Sequence, residues 1–378
     1  MGESARTVLE QMIRDRRLTP DEFCEEAERY ARDRSDVVPI STRHLQRLMA
    51  GRRADGRLLG PVRPATRRLL EGMLGVPIDA LMASPATDES SAADEIELRA
   101  RLAGARGVDA QAVDLFQQKL DLTRVMDRKV GAPALLGELR HQIEHMDEML
   151  RYSSQAGVRS ALARVLVDAR TLAGWQSLDQ GLTVDAWRHY DEAKAAAREA
   201  GSTALLSYAT AAQAVVLIDI GETHSAVELA AHALRAADEC PALLRSWLNA
   251  AYGDACAADR REVESLRAFD RAARAMPAAV DPAETPYLVF ASIHLERWRG
   301  SALARLGHRD ASTTLVDALE RLDPTFARAE TALRVDLVQV LRAAGARDEM
   351  TVHAQRATML SLQIGSVRQR NRLGLLVG

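Results

Sequence analysis

Around Ser41 the chain places residue types that hydrogen-bond nucleic-acid bases at the spacing of one helix face. Arginine pairs bidentately with guanine and glutamine with adenine, so Arg43, Gln46 and Arg47 are candidate base readers. Ser41 and Thr42 stand where that helix would begin, and Arg52 and Arg53 stand just beyond its end; both positions suit phosphate contacts. Leu45, Leu48 and Met49 fall on the opposite face, which would turn to the core. The spacing does not decide which arginine reads a base.

The charge distribution points the same way. Residues 40–70 hold eight arginines and a single acid, Asp55, a local charge of +7; the whole chain is −3, so the remainder carries −10. A basic island on an acidic body implies one anion-binding surface, of which DNA is the commonest case. A solvated arginine-rich loop fits the same numbers.

Other chemistry is weakly signalled. His141-Gln-Ile-Glu144-His145 matches a zinc-peptidase pattern, with two histidines four apart on one helix face. No third ligand is signalled, and Leu139, Ile143, Met146 and Met149 make that helix plainly amphipathic. No phosphate-cradling glycine loop, dinucleotide fingerprint or serine nucleophile elbow is present. The reading is therefore a non-enzyme with no metal and no cofactor. Cys24, Cys240 and Cys256 form no CxxC pair and read as reduced packing thiols. No stretch approaches the ~18 apolar residues of a membrane span. A cytoplasmic location is expected.

These residues must be positioned by helices. The composition is 47% hydrophobic, enough for a core, and only 4% aromatic, which disfavours sandwiches and barrels. The pattern predicts an all-α chain. Residues 1–83 read as five short helices, near 5–15, 20–32, 42–50, 64–74 and 77–82, the second opened by Thr19-Pro20-Asp21-Glu22. The small polar run over 84–93 reads as a linker. Residues 94–157 read as connecting helices, either a dimerisation arm or caps for a solenoid, and 158–378 as helix pairs. Arg368, Arg370 and Arg372 read as a solvated final helix.

The second half is internally repetitive. Its turns fall near Gly181, Gly221, Arg260, Gly307 and Gly345, at intervals of 40, 39, 47 and 38 residues. Gly174, Gly181, Ala186, Tyr190 and Ala193 give the clearest unit; Gly253, Phe269 and Ala272, then Gly300 and Gly307, echo it. This resembles the tetratricopeptide repeat, in which small residues let paired helices approach and an aromatic fills the gap. The resemblance implies a right-handed α-solenoid whose first helices line a concave groove. Projected onto that geometry, Trp175, Asp179, Tyr208, Trp247, Asp254, His294, Arg297 and Gln339 become candidate ligand contacts, with Asp168, Asp219, Arg305 and Arg342 beside them. Solvated polar positions and packed aromatics are the plainer reading of any one of them.

The segment from Pro39 to Arg53 resembles the recognition helix of the phage-repressor-like (XRE) helix-turn-helix family, through Ser41, Leu45, Gln46, Arg47, Leu48, Gly51, Arg52 and Arg53. Residues 63–82 match that family's closing helix and turn. Two departures stand out: Pro20 replaces the usual glutamine, and the second helix carries an acidic-basic run close to the presumed DNA surface. Together the two halves resemble ligand-regulated XRE regulators of Gram-positive bacteria, and the arginine-rich composition points to an actinobacterial member. That resemblance implies a homodimer binding double-stranded DNA under control of a peptide, small molecule or protein in the groove. The alternative is a scaffold or anti-regulator whose head no longer binds DNA.

Overall fold

The computed structural model describes residues 5–33, 40–52, 59–85, 88–281 and 283–377. Among the described residues every regular element is a helix, so the protein is all-α. The chain divides into two compact units, Met1–Ala100 and Arg101–Gly378.

The first unit contains α1 (Val8–Asp15), α2 (Pro20–Asp33), α3 (Thr42–Ala50), α4 (Pro64–Leu74) and α5 (Ile78–Leu81). Thr19 and Glu22 cap α2 reciprocally: Glu22 N donates to Thr19 Oγ1 at 3.3 Å, and Thr19 N to Glu22 Oε2 at 2.7 Å. Pro20 costs nothing there, because the first helical N–H has no partner within the helix. Thr7 Oγ1 accepts from Glu10 N at the start of α1 and donates to Met49 O at the end of α3. Phe23, Leu45 and Leu70 are fully enclosed, one each from α2, α3 and α4. Each such side chain contributes about 1.5–3 kcal/mol by leaving water.

The linker expected over 84–93 is corrected in its second half. From Asp88 the chain is helical, in α6 (Asp88–Arg106). Pro85 is the last helix breaker before it, and the Ala and Glu of the following sequence favour helix.

The second unit begins within α6 and continues through α7 (Ala110–Val130) and α8 (Leu136–Tyr152). Five helix pairs come next: α9 (Ala156–Asp179) with α10 (Thr183–Glu199), α11 (Thr203–Asp219) with α12 (Thr223–Leu234), α13 (Ala242–Ala258) with α14 (Glu262–Ala275), α15 (Ser292–Leu306) with α16 (Ala311–Arg321), and α17 (Ala327–Ala344) with α18 (Arg347–Gln363). The first helices also pack against one another in order, α9 on α11, α11 on α13, α13 on α15 and α15 on α17. Close approach within pairs depends on glycine. A methyl on Gly174 would meet the Tyr190 ring at 3.0 Å, one on Gly253 the Phe269 ring at 2.9 Å, and one on Gly300 the Leu315 side chain at 2.8 Å. The expected turn positions are where the backbone goes left-handed, including Arg260 at φ 60°.

Two features were not expected. The 47-residue interval contains a loop over 276–291 whose Thr285, Leu288 and Phe290 are buried. The array also returns on itself: α19 (Val367–Val377) packs against α9 as well as α17 and α18, and α17 packs against α7. Gln180 Nε2 donates to Gly365 O at 2.8 Å across that closure. The final helix is therefore not a solvated tail.

Candidate functional site

In the first unit, α3 is held by its apolar face, with Leu45 and Leu48 buried and Met49 half-buried. Arg43, Gln46 and Arg47 are exposed on the other face. The two hydroxyls at its start are already engaged. Ser41 Oγ accepts from His44 N at 3.3 Å as the N-cap, and Thr42 Oγ1 donates to Asp21 Oδ1 at 2.5 Å. Thr42 is thus half-buried rather than outward-facing, and the Asp21 carboxylate lies against it. Arg47 Nη2 lies 3.0 Å from His44 Nδ1. Burial, then Arg47 and Arg63, hold the His44 imidazole below its ordinary pKa, so Arg63 contributes to the same positive surface. Arg52 is exposed just past α3; Arg53 lies outside the described residues.

The second unit contains a half-open cavity of about 350 Å³, at the small end of small-molecule sites. Trp175, Tyr208, Trp247, Asp254, His294 and Arg297 line it, as do Asp168 and Arg305. Asp179, Asp219, Gln339 and Arg342 do not line it. Asp179 is fully buried behind Arg328, and Asp219 is bound by Arg368. Gln339 Nε2 donates to Ala304 O at 3.1 Å, and Arg342 Nη1 to Leu376 O at 3.4 Å.

One wall is aromatic. Tyr208 packs on Trp247 with ring centres 5.0 Å apart and on Tyr287 at 4.8 Å, and Trp247 lies 5.9 Å from Trp298. Tyr287 comes from the loop that lengthens the third interval.

The rest is arginine and aspartate, much of it from α7 and α19. Arg124 bonds Asp168, and Arg328 bonds both Asp127, at 2.8 Å, and Asp179. Arg368 grips Asp219 with two bonds of 2.5 and 2.7 Å and lies over the Trp175 ring. Arg372 meets Asp336 at 2.7 Å, and Arg305 lies 3.4 Å from Asp254. Ser366 Oγ donates to Asp179 Oδ1 and Gln176 Nε2 to Asp127 Oδ1, so one buried network ties α7, α9, α17 and the turn before α19. Burial raises the Asp127 pKa against the opposing pull of Arg328.

Two cavity arginines differ. Among the described residues, Arg128 and Arg297 have no carboxylate within ion-pair distance. Arg297 Nε and His294 Nδ1 are buried without a protein hydrogen-bond partner. Desolvation lowers both guanidinium pKa values. Burial, then Arg297 and Arg128, drop the His294 imidazole to about 4. Phe326 joins them, 5.3 Å from the His294 ring and 5.0 Å from the Arg128 guanidinium.

The sequence reading missed Arg124, Asp127, Arg128, Arg368 and Arg372. The signal available was buried charge in helices assigned to other tasks. His141 Nδ1 lies 3.3 Å from Glu144 on an exposed surface, and His145 rests edge-on against Phe116. Among the described residues no group of three or more histidines, cysteines or acids could hold a metal, and no helix is long and apolar enough to cross a membrane. Compared with known proteins, the chain matches no family model, no curated protein and no solved structure.

Proposed function

We propose that the chain is a ligand-responsive DNA-binding regulator, with a helix-turn-helix head and a tetratricopeptide-like sensor. The observation that carries the reading is the solvent face of α3, where Arg43, Gln46 and Arg47 stand exposed over a buried leucine pair. That is the arrangement a recognition helix needs in a major groove. The cavity of the second unit supports the second part, because a sensor must bind its signal more tightly in one conformation than in another. In this reading the solenoid is right-handed. A homodimer would present paired half-sites; Leu115 and Leu122 on α7, 57% and 60% exposed and seven residues apart, offer a second copy an apolar stripe.

The second reading, a scaffold with a head that has left DNA, is favoured by one contact. Asp21 sits against Thr42 at the start of α3, where a phosphate would otherwise dock. Fluorescence anisotropy against fragments of the protein's own upstream region, at two salt concentrations, separates the two. Saturable binding that weakens steeply with salt and disappears in Arg43→Ala/Arg47→Ala establishes the regulator. Binding that is absent both with and without cell extract counts against the regulator.

A further inference from the structure

We infer that the cavity of the second unit binds a small organic anion, its charged end held by Arg297, Arg128 and His294 and its apolar body lying on the Tyr208–Trp247–Trp298 wall. This names the ligand class of the sensor proposed above and rests on that reading of the second unit.

Most arginines around the cavity are already matched. Arg124, Arg328, Arg368, Arg372 and Arg305 each face an aspartate, so their charge is answered within the protein. Arg297 is not answered in this way. Asp254 and Asp336 are near enough to favour its charged form, yet Asp254 faces Arg305 and Asp336 is bonded to Arg372. Arg128 is half-buried over the Phe326 ring; Asp127 and Asp323 favour its charged form, yet neither is within ion-pair distance of it. Arg328 also leaves its Nε–H unused but is paired with two aspartates; an enclosed guanidinium that has an unused Nε–H and no ion pair, as Arg297 has, is suited to a partner from outside the chain.

His294 and Arg297 are three apart on α15, so they share a face, and Arg128 approaches from α7. Near neutral pH His294 is uncharged and can donate one N–H beside the two guanidinium groups. His294 lies within the influence of the two guanidinium groups, and donors lining one cavity in this way fit an oxyanion. A cationic ligand is repelled by both guanidinium groups, and a neutral one leaves Arg297 without an ion-pair partner. At about 350 Å³ the cavity has room for a small molecule. The aromatic wall calls for a flat or aliphatic body attached to the anion. A carboxylate and a phosphate ester share the required chemistry.

The test is isothermal titration calorimetry of the full chain, without DNA, at fixed ionic strength. Three probes are compared: 3-phenylpropionate, its neutral amide 3-phenylpropionamide, and phenyl phosphate. We expect at least one of the two anions to bind about tenfold or more tightly than the amide. Arg297→Gln and Arg128→Gln should each remove about tenfold of that advantage and leave amide binding unchanged. A melting temperature for Arg297→Gln equal to or above the parent's shows that the loss is not unfolding. The preferred anion identifies the head group as carboxylate or phosphate. Equal binding of acid and amide, or no binding of either anion at millimolar concentration, overturns the inference. The outcome is separable from the DNA assay: anion binding without fragment binding rejects the regulator and keeps the site, and the reverse rejects the site and keeps the regulator.

Discussion

On α3 the side chains of Arg43 and Arg47 stand in solvent, whereas around the cavity those of Arg124, Arg328 and Arg368 are only 11–12% exposed and lie against aspartates. The residue type is the same and its consequences are opposite. An exposed arginine keeps its hydration, adds little to stability and remains available to a partner. A buried arginine bonded to aspartate has surrendered its hydration, and removing one member leaves the other uncompensated. Arg297 belongs to neither group: it is enclosed like the second set, yet no carboxylate is within ion-pair distance of it among the described residues. Enclosure without a partner, rather than charge alone, is what sets Arg297 apart from the other arginines of the cavity.

The contrast is tested most severely at Arg328. Arg328→Ala leaves Asp127 and Asp179 buried without their cation and should cost about 3–5 kcal/mol in denaturant-induced unfolding. A loss comparable to that of a surface arginine would show that the network is not structural.

A pH titration extends the contrast to a buried neutral group. Burial, then Arg140 and Arg188, hold the His189 imidazole at about 4, against 6.5 in an unfolded chain. The unfolded state therefore takes up more protons between those values. The stability contributed by neutral His189 is fully present above about 6.5 and is lost as pH falls towards 4, by about 3 kcal/mol in all. His189→Gln should flatten the unfolding free energy over that window; an unchanged slope would refute the assignment.

Gly253→Ala probes packing rather than charge. The added methyl meets the Phe269 ring at 2.9 Å and should cost about 1–3 kcal/mol by thermal denaturation. At the other extreme, Arg43→Ala should change stability by no more than about 0.5 kcal/mol, whatever it does to binding. A larger loss in that variant would mean that α3 uses its solvent face for folding.

Much of the helical framework is legible locally. Thr19 to Glu22 announces α2, Pro64 opens α4, and Gly181, Gly221, Gly307 and Gly345 mark the turns they make, because capping and left-handed φ act over a few residues. The linker expectation fails over its second half because Ser, Thr and Asp support a loop and a helix start alike. Repeat geometry places Trp175, Tyr208, Trp247, His294 and Arg297 on the cavity and misplaces Gln339, whose amide is spent on a backbone carbonyl of the neighbouring pair.

Local patterns suffice for an all-α chain, the pairing of its helices and the apolar and solvent faces of α3. The return of α7 and α19 to complete the cavity belongs to long-range packing, since Arg328 meets Asp127 across 201 positions and Arg368 meets Asp219 across 149. Periodicity records which face of a helix is buried. It holds no record of which distant helix covers that face, because the covering contact is made by desolvation and charge pairing in the folded chain.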